Sequence, residues 1–170
     1  MERKKVIRKV CLLGDGGVGK TSLIGRYVFD CFSDEYIVSF GTKVTKKVIE
    51  YEDVELTLMI WDILGQKSNK SLHAAYYSGA NGALVVCDCS REETLEHLPS
   101  WAEEFQAVVG KKPIIPIANK SDLGQQLRTD RVSEIAARLG REFLFTSAKS
   151  GSGVQGAFES LGRNILEGRT

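Results

Sequence analysis

Eight consecutive residues, Gly14-Asp15-Gly16-Gly17-Val18-Gly19-Lys20-Thr21, constrain this chain of 170 residues more than any other feature. They follow an apolar run, Val6 to Leu13, that reads as a strand, and they open a pattern from Lys20 to about Phe29 that reads as a helix. A glycine-rich turn between strand and helix is the context in which this pattern cradles phosphate. Glycines let successive backbone N–H groups turn inward with no Cβ in the way, and the helix N-terminus adds its dipole. In that setting Lys20 reaches the terminal phosphates and the Thr21 hydroxyl ligates Mg²⁺, with Ser22 following in the same turn.

The rest of the chain alternates strand-like and helical runs, which argues for a mostly parallel sheet with helices on both faces. Thr42 to Tyr51 and Val54 to Asp62 are joined only by Glu52-Asp53, so they are expected to form an antiparallel hairpin. Ala83 to Cys89 reads as a buried strand, and Ser90 with Glu93 as a capping box for the helix that follows. Pro99 is expected to kink or restart that helix. Ile114 to Ala118 and Phe143 to Phe145 read as strands, and Asp130 to Leu139 and Val154 to about Leu166 as helices, while 30 to 41 reads as a loop. Each motif falls at the carboxyl end of a strand, the edge where open α/β sheets bind ligands. The expected architecture is a three-layer α/β/α sandwich with a six-stranded mixed sheet, in one domain over residues 1–170.

A phosphate loop does not choose a base, and kinases, ATPases and GTPases all remain open at this point. Asn119-Lys120-Ser121-Asp122, after a buried strand, points to guanine. The Asp122 carboxylate can accept two hydrogen bonds from the guanine ring N–H and exocyclic amine, a donor pair that adenine lacks. Thr146-Ser147-Ala148-Lys149, also after a strand, can offer the Ala148 backbone N–H to the guanine carbonyl.

With these motifs the chain resembles the Ras superfamily from its first strand to its last helix, and its Rab-like members in particular. Trp61-Asp62-Ile63-Leu64-Gly65-Gln66 is similar to the family's Asp-x-x-Gly-Gln segment, and Tyr76-Tyr77-Ser78-Gly79-Ala80 to a Rab-type stretch. The resemblance implies that Asp62 holds Mg²⁺ through water, that the Gly65 N–H contacts the γ-phosphate and that Gln66 positions the attacking water. A strand-end aspartate opposite a phosphate loop is also where a metal partner belongs on physical grounds. Phe32-Ser33-Asp34-Glu35-Tyr36 resembles the start of the first switch, with Phe32 either edge-on to guanine or packed in the core. Ser39 then falls where the family carries its Mg²⁺-binding threonine, with Thr42 and Thr45 as rivals in the strand that follows. Ile63, Leu64 and Val44 depart from the Ras and Rab pattern.

Taken together, the expected protein binds GTP or GDP with Mg²⁺ and hydrolyses GTP slowly, as a switch; a GTP-holding scaffold without turnover is the alternative. Effectors, activating proteins and exchange proteins are expected at about 33–44 and 62–77. Net charge is +1, so no global field points to nucleic acid or membrane. The basic start, Lys4, Lys5, Arg8 and Lys9, reads as a solvated lead-in. Cys11, Cys31, Cys87 and Cys89 form no disulfide framework, and no cysteine near Thr170 invites prenylation, so a cytoplasmic monomer without a lipid anchor is expected. His73 and His97 read as surface or capping residues, Trp101 and Phe105 as a core stripe. Arg26 is expected to point away from the γ-phosphate, and Arg91 to be a capping-region surface charge.

Overall fold

The alternation of Val6, Val10 and Leu12 with Cys11 and Leu13 splits the first strand between two apolar cores, as a period of two requires. In the computed structural model, which describes residues 2–32, 43–62, 70–124 and 126–170, that strand is β1 (Lys4–Leu13). It starts earlier than expected, because Lys4 and Lys5 already pair with Val54 and Glu55. The remaining strands are β2 (Lys43–Glu50), β3 (Val54–Asp62), β4 (Gly82–Asp88), β5 (Ile114–Asn119) and β6 (Leu144–Phe145). They form a six-stranded sheet in the order β2-β3-β1-β4-β5-β6. Only the β2–β3 pair is antiparallel, closed by the expected two-residue hairpin with Tyr51 N–H on the Val54 carbonyl.

Helices α1 (Lys20–Phe29) and α6 (Val154–Glu167) cover one face of the sheet, where Tyr27 stacks flat on Phe158. The other face carries α2 (Lys70–Tyr77), α3 (Glu92–Glu96), α4 (Leu98–Val109) and α5 (Thr129–Leu139). Trp101 and Phe105 are fully buried there, as their i, i+4 spacing implies. β4 is buried along its whole length, which fits a central parallel strand covered on both sides. The three-layer mixed α/β sandwich read from the sequence is the observed fold.

Pro99 restarts the helix rather than kinking it: α3 ends at Glu96 and α4 opens with Pro99 in its first turn, where a missing N–H costs nothing. The capping box at Ser90 and Glu93 does not form. Ser90 turns back, its N–H and hydroxyl both donating to Asp88 Oδ1, and Glu93 pairs with Arg91. Thr94 takes the anchoring role instead, with its hydroxyl donating to the Arg91 carbonyl. Asp88 lies only two residues before Ser90, and the short serine side chain bonds to it locally instead of capping the helix.

Candidate functional site

The loop between β1 and α1 is shaped by what its glycines must avoid. A Cβ on Gly14, at φ +138°, would lie 2.2 Å from the Val86 carbonyl oxygen of β4. One on Gly19, at φ +105°, would lie 2.3 Å from Asn119 Nδ2. Gly19 also begins α1 with no side-chain cap, leaving the first N–H groups of the helix available to an anion.

The loop's carbonyls are each taken by a side chain. Lys20 Nζ donates to the Gly14 and Asp15 carbonyls at 2.7 and 2.9 Å. Arg91 donates to Gly16 at 3.1 Å, Lys120 to Gly17 at 2.8 Å and Asn119 Nδ2 to Val18 at 3.0 Å. In a trans peptide the C=O and the next N–H point in opposite directions, so each carbonyl tied to a side chain also fixes the direction of the N–H that follows it. Burial depresses the Lys20 ammonium to about 8, with Asp62 and Asp15 pulling the other way. A buried cation whose charge is disfavoured by desolvation is set to gain from an anion brought to it.

Thr21, in the first turn of α1 beside half-buried Ser22, donates its hydroxyl to Asp62 Oδ2 at 2.5 Å. Asp62 closes β3 and is 3% exposed. A hydroxyl and a carboxylate meeting at the phosphate loop are hard oxygen donors of the kind Mg²⁺ selects, so the pair fits the metal. Thr45, one rival for a third ligand, is buried in β2 opposite Ile60. Ser39, Thr42, Gly65 and Gln66 lie outside the described residues.

On the base side, Asn119 and Asp122 are held from behind. Thr146 donates to Asn119 Oδ1 at 2.9 Å, and Ser147 donates to Asp122 Oδ1 at 2.8 Å. Lys120 has φ 65°, ψ 35°, the left-handed region that costs a non-glycine residue about 1–2 kcal/mol. Its Nζ meets Asp88 Oδ2 at 2.9 Å as well as the Gly17 carbonyl. Burial opposes ionisation of Asp88, but hydrogen bonds from Ser90 and Lys120 outweigh it and hold the carboxyl below its ordinary value. Ala148 is buried at 3% exposure, and Lys149 beside it is exposed. Phe32 packs, partly buried, against the core under α1.

Five residues read as bystanders in the sequence have specific places here. Arg26 donates to the Ala148 and Lys149 carbonyls at 2.8 and 2.7 Å. Arg91 is the N-cap residue of α3, in the capping region as expected, and its side chain also reaches the Gly16 carbonyl. His73 is buried at 2% exposure against Glu104, not at the surface. His97 Nδ1 and Trp101 Nε1 both donate to the Asp15 carboxylate, at 2.5 and 2.8 Å. These contacts join residues 75 to 86 positions apart, and no local pattern signals them.

The Ras family profile matches residues 9–167 of the chain. The chain is 38% identical over 156 residues to the Ras-related protein RABA4b of Arabidopsis thaliana, covering 90% of this chain and 70% of that protein. It is 35% identical over 173 residues to the Ras-related protein Rab-7a of Dictyostelium discoideum, covering 97% and 85%. The Ras-related protein Rab7 of Pisum sativum is 36% identical over 177 residues, with the same coverage. A glycine-rich loop interlocked with the Asn119–Asp122 segment, in a chain with these relatives, leads to one conclusion: the protein belongs to the Ras family, as a Rab-like small GTP-binding switch protein that hydrolyses GTP.

Proposed function

We propose that this GTPase works by positioning plus charge stabilisation, with Lys20 and the N–H groups from Gly14 to Thr21 holding the phosphates while Gln66 orients the water that attacks the γ-phosphorus. Asn119, Lys120, Asp122, Ser147, Ala148 and Lys149 hold guanine, and Phe32 borders it. Thr21 and Ser39 would hold Mg²⁺ directly and Asp62 through water. When bound, the metal supplies positive charge against the charge that builds on the phosphate oxygens. The Thr21–Asp62 contact at 2.5 Å carries this reading, because it brings two hard oxygens from distant segments to the end of the phosphate loop.

The role of Gly65 is to present its N–H to the γ-phosphate, so that the two loops at about 33–44 and 62–77 close on GTP and release on GDP. Effectors, activating proteins and exchange proteins engage those segments. No helix among the described residues is long and apolar enough to cross a membrane. Buried free thiols at Cys11, Cys87 and Cys89 suit a reducing compartment, and the proposal places a monomer in the cytoplasm.

A single-turnover GTP assay tests the mechanism. Intrinsic hydrolysis should run far below one turnover per second, and Gln66→Leu should slow it further while leaving GTP affinity intact. A rate indifferent to Gln66→Leu would show that another group positions the water.

A further inference from the structure

Between Asp15 and Val18 the phosphate loop has one peptide with no side chain of its own to hold it, the Gly16–Gly17 unit. On one side the Asp15 carboxylate is tied to Trp101 and His97. On the other, the Gly17 and Val18 carbonyls are tied to Lys120 and Asn119. Rotation of the intervening peptide changes ψ of Gly16 and φ of Gly17, both of them glycine, so sterics oppose it little. Gly17 already sits at φ +78°. The Gly16 carbonyl is gripped from outside by Arg91.

Arg91 is itself braced. Its N–H donates to the Asp88 carbonyl at 3.0 Å, and its own carbonyl accepts from the Thr94 N–H and hydroxyl at 3.1 and 2.7 Å. The Thr94 hydroxyl in turn accepts from the Asp88 N–H at 2.9 Å. The guanidinium is steadied by Glu93 at 3.2 Å. The start of α3 is therefore a fixed platform from which the guanidinium reaches the loop.

We propose that Arg91 is a positioning residue for the nucleotide phosphates: by holding the Gly16 carbonyl outward, it keeps the Gly17 N–H turned inward and prevents the Gly16–Gly17 peptide from flipping. The proposal rests on the reading of this loop as the phosphate site. Arg91 need not touch the nucleotide. Losing it would present a carbonyl dipole to the phosphates in place of an N–H, an inversion of sign at the point where negative charge is densest.

The test uses the whole chain loaded with GDP. Arg91→Ala should speed GDP release about fivefold, a magnitude reduced from that of a fully buried charged hydrogen bond because the side chain is 40% exposed. It should also shift the β-phosphorus resonance of bound GDP in a ³¹P spectrum, with the thermal midpoint little changed. Arg91→Lys, which keeps a cation in reach of the carbonyl, should restore both readouts, and Arg131→Ala, which breaks only the surface pairs of α5 with Glu96 and Glu134, should move neither. Should Arg91→Ala unfold, Arg91→Gln carries the same test. Unchanged release, or faster release with an unmoved resonance, would overturn the proposal. Failure of the wild-type protein to bind GDP would instead overturn the site reading beneath it.

Discussion

Replacing Gly19 by alanine tests whether the phosphate loop and the guanine strap are one mechanical unit. The new Cβ would lie 2.3 Å from Asn119 Nδ2, far inside contact distance, and Asn119 is 1% exposed with no room to retreat. Moving it breaks its 3.0 Å bond to the Val18 carbonyl and strains the 2.9 Å bond that it accepts from Thr146. An unpaired buried polar group costs about 1–3 kcal/mol. The backbone at φ +105° adds about 1–2 kcal/mol for any residue with a Cβ. The sum centres at about 3.5 kcal/mol, which for a domain of this size lowers the melting midpoint by about 7–14 °C. Guanine should also leave faster, although the substitution lies in the phosphate loop. Differential scanning calorimetry and release of a fluorescent GDP measure the two effects. Gly156→Ala is the control: it lies in α6 with nothing within 4 Å of the new Cβ, and should gain about 0.5–1 kcal/mol from helix propensity. A Gly19→Ala protein as stable as Gly156→Ala, or one that loses stability while holding guanine normally, would refute the interlock.

Arg26→Ala should loosen the strap at Ala148 and Lys149 by removing two short bonds, and speed GDP release about tenfold without altering the hydrolysis rate of bound GTP. Unaltered GDP release would reduce Arg26 to a packing residue. Asp122→Asn should shift base preference from guanine to xanthine, read by competition between GDP and xanthosine diphosphate, because an amide can donate where xanthine has an extra carbonyl. Lys20 near 8 in the free protein must return towards its ordinary 10.5 when it meets phosphate, so the complex binds more protons than the free protein between those values. Affinity should then fall by up to about tenfold per pH unit above pH 8, with proton uptake visible by calorimetry in buffers of differing ionisation enthalpy, and a flat response from pH 8 to 9 would count against a depressed lysine.

Much of the architecture was legible because it rests on short-range patterns. The apolar run from Val6 to Leu13, the two-residue join of the hairpin and the i, i+4 pair Trp101 and Phe105 each specify their geometry within a short stretch of chain. The capping box failed for an equally local reason that sequence does not rank: Ser90 turns its N–H and its hydroxyl to Asp88 Oδ1, two residues back, instead of accepting from the helix N-terminus. The glycines were read as making room for phosphate. At Gly14 and Gly19 the nearest obstacles are Val86 and Asn119, so there they make room for the protein itself.

By itself the sequence determined the chemistry available at the site, since a glycine-rich turn with Lys20 and Thr21 and a strand-end Asn119-Lys120-Ser121-Asp122 carry their donors and acceptors in consecutive residues. Tertiary structure alone decided how that chemistry is held. The Asp15 carboxylate is met by His97 and Trp101, the Gly16 carbonyl by Arg91 and the Ala148 carbonyl by Arg26, each from an element brought alongside only by sheet order and helix packing. A side chain's partner across 75 or more residues depends on which strands neighbour each other and on which face each helix lies, and residue spacing does not encode that.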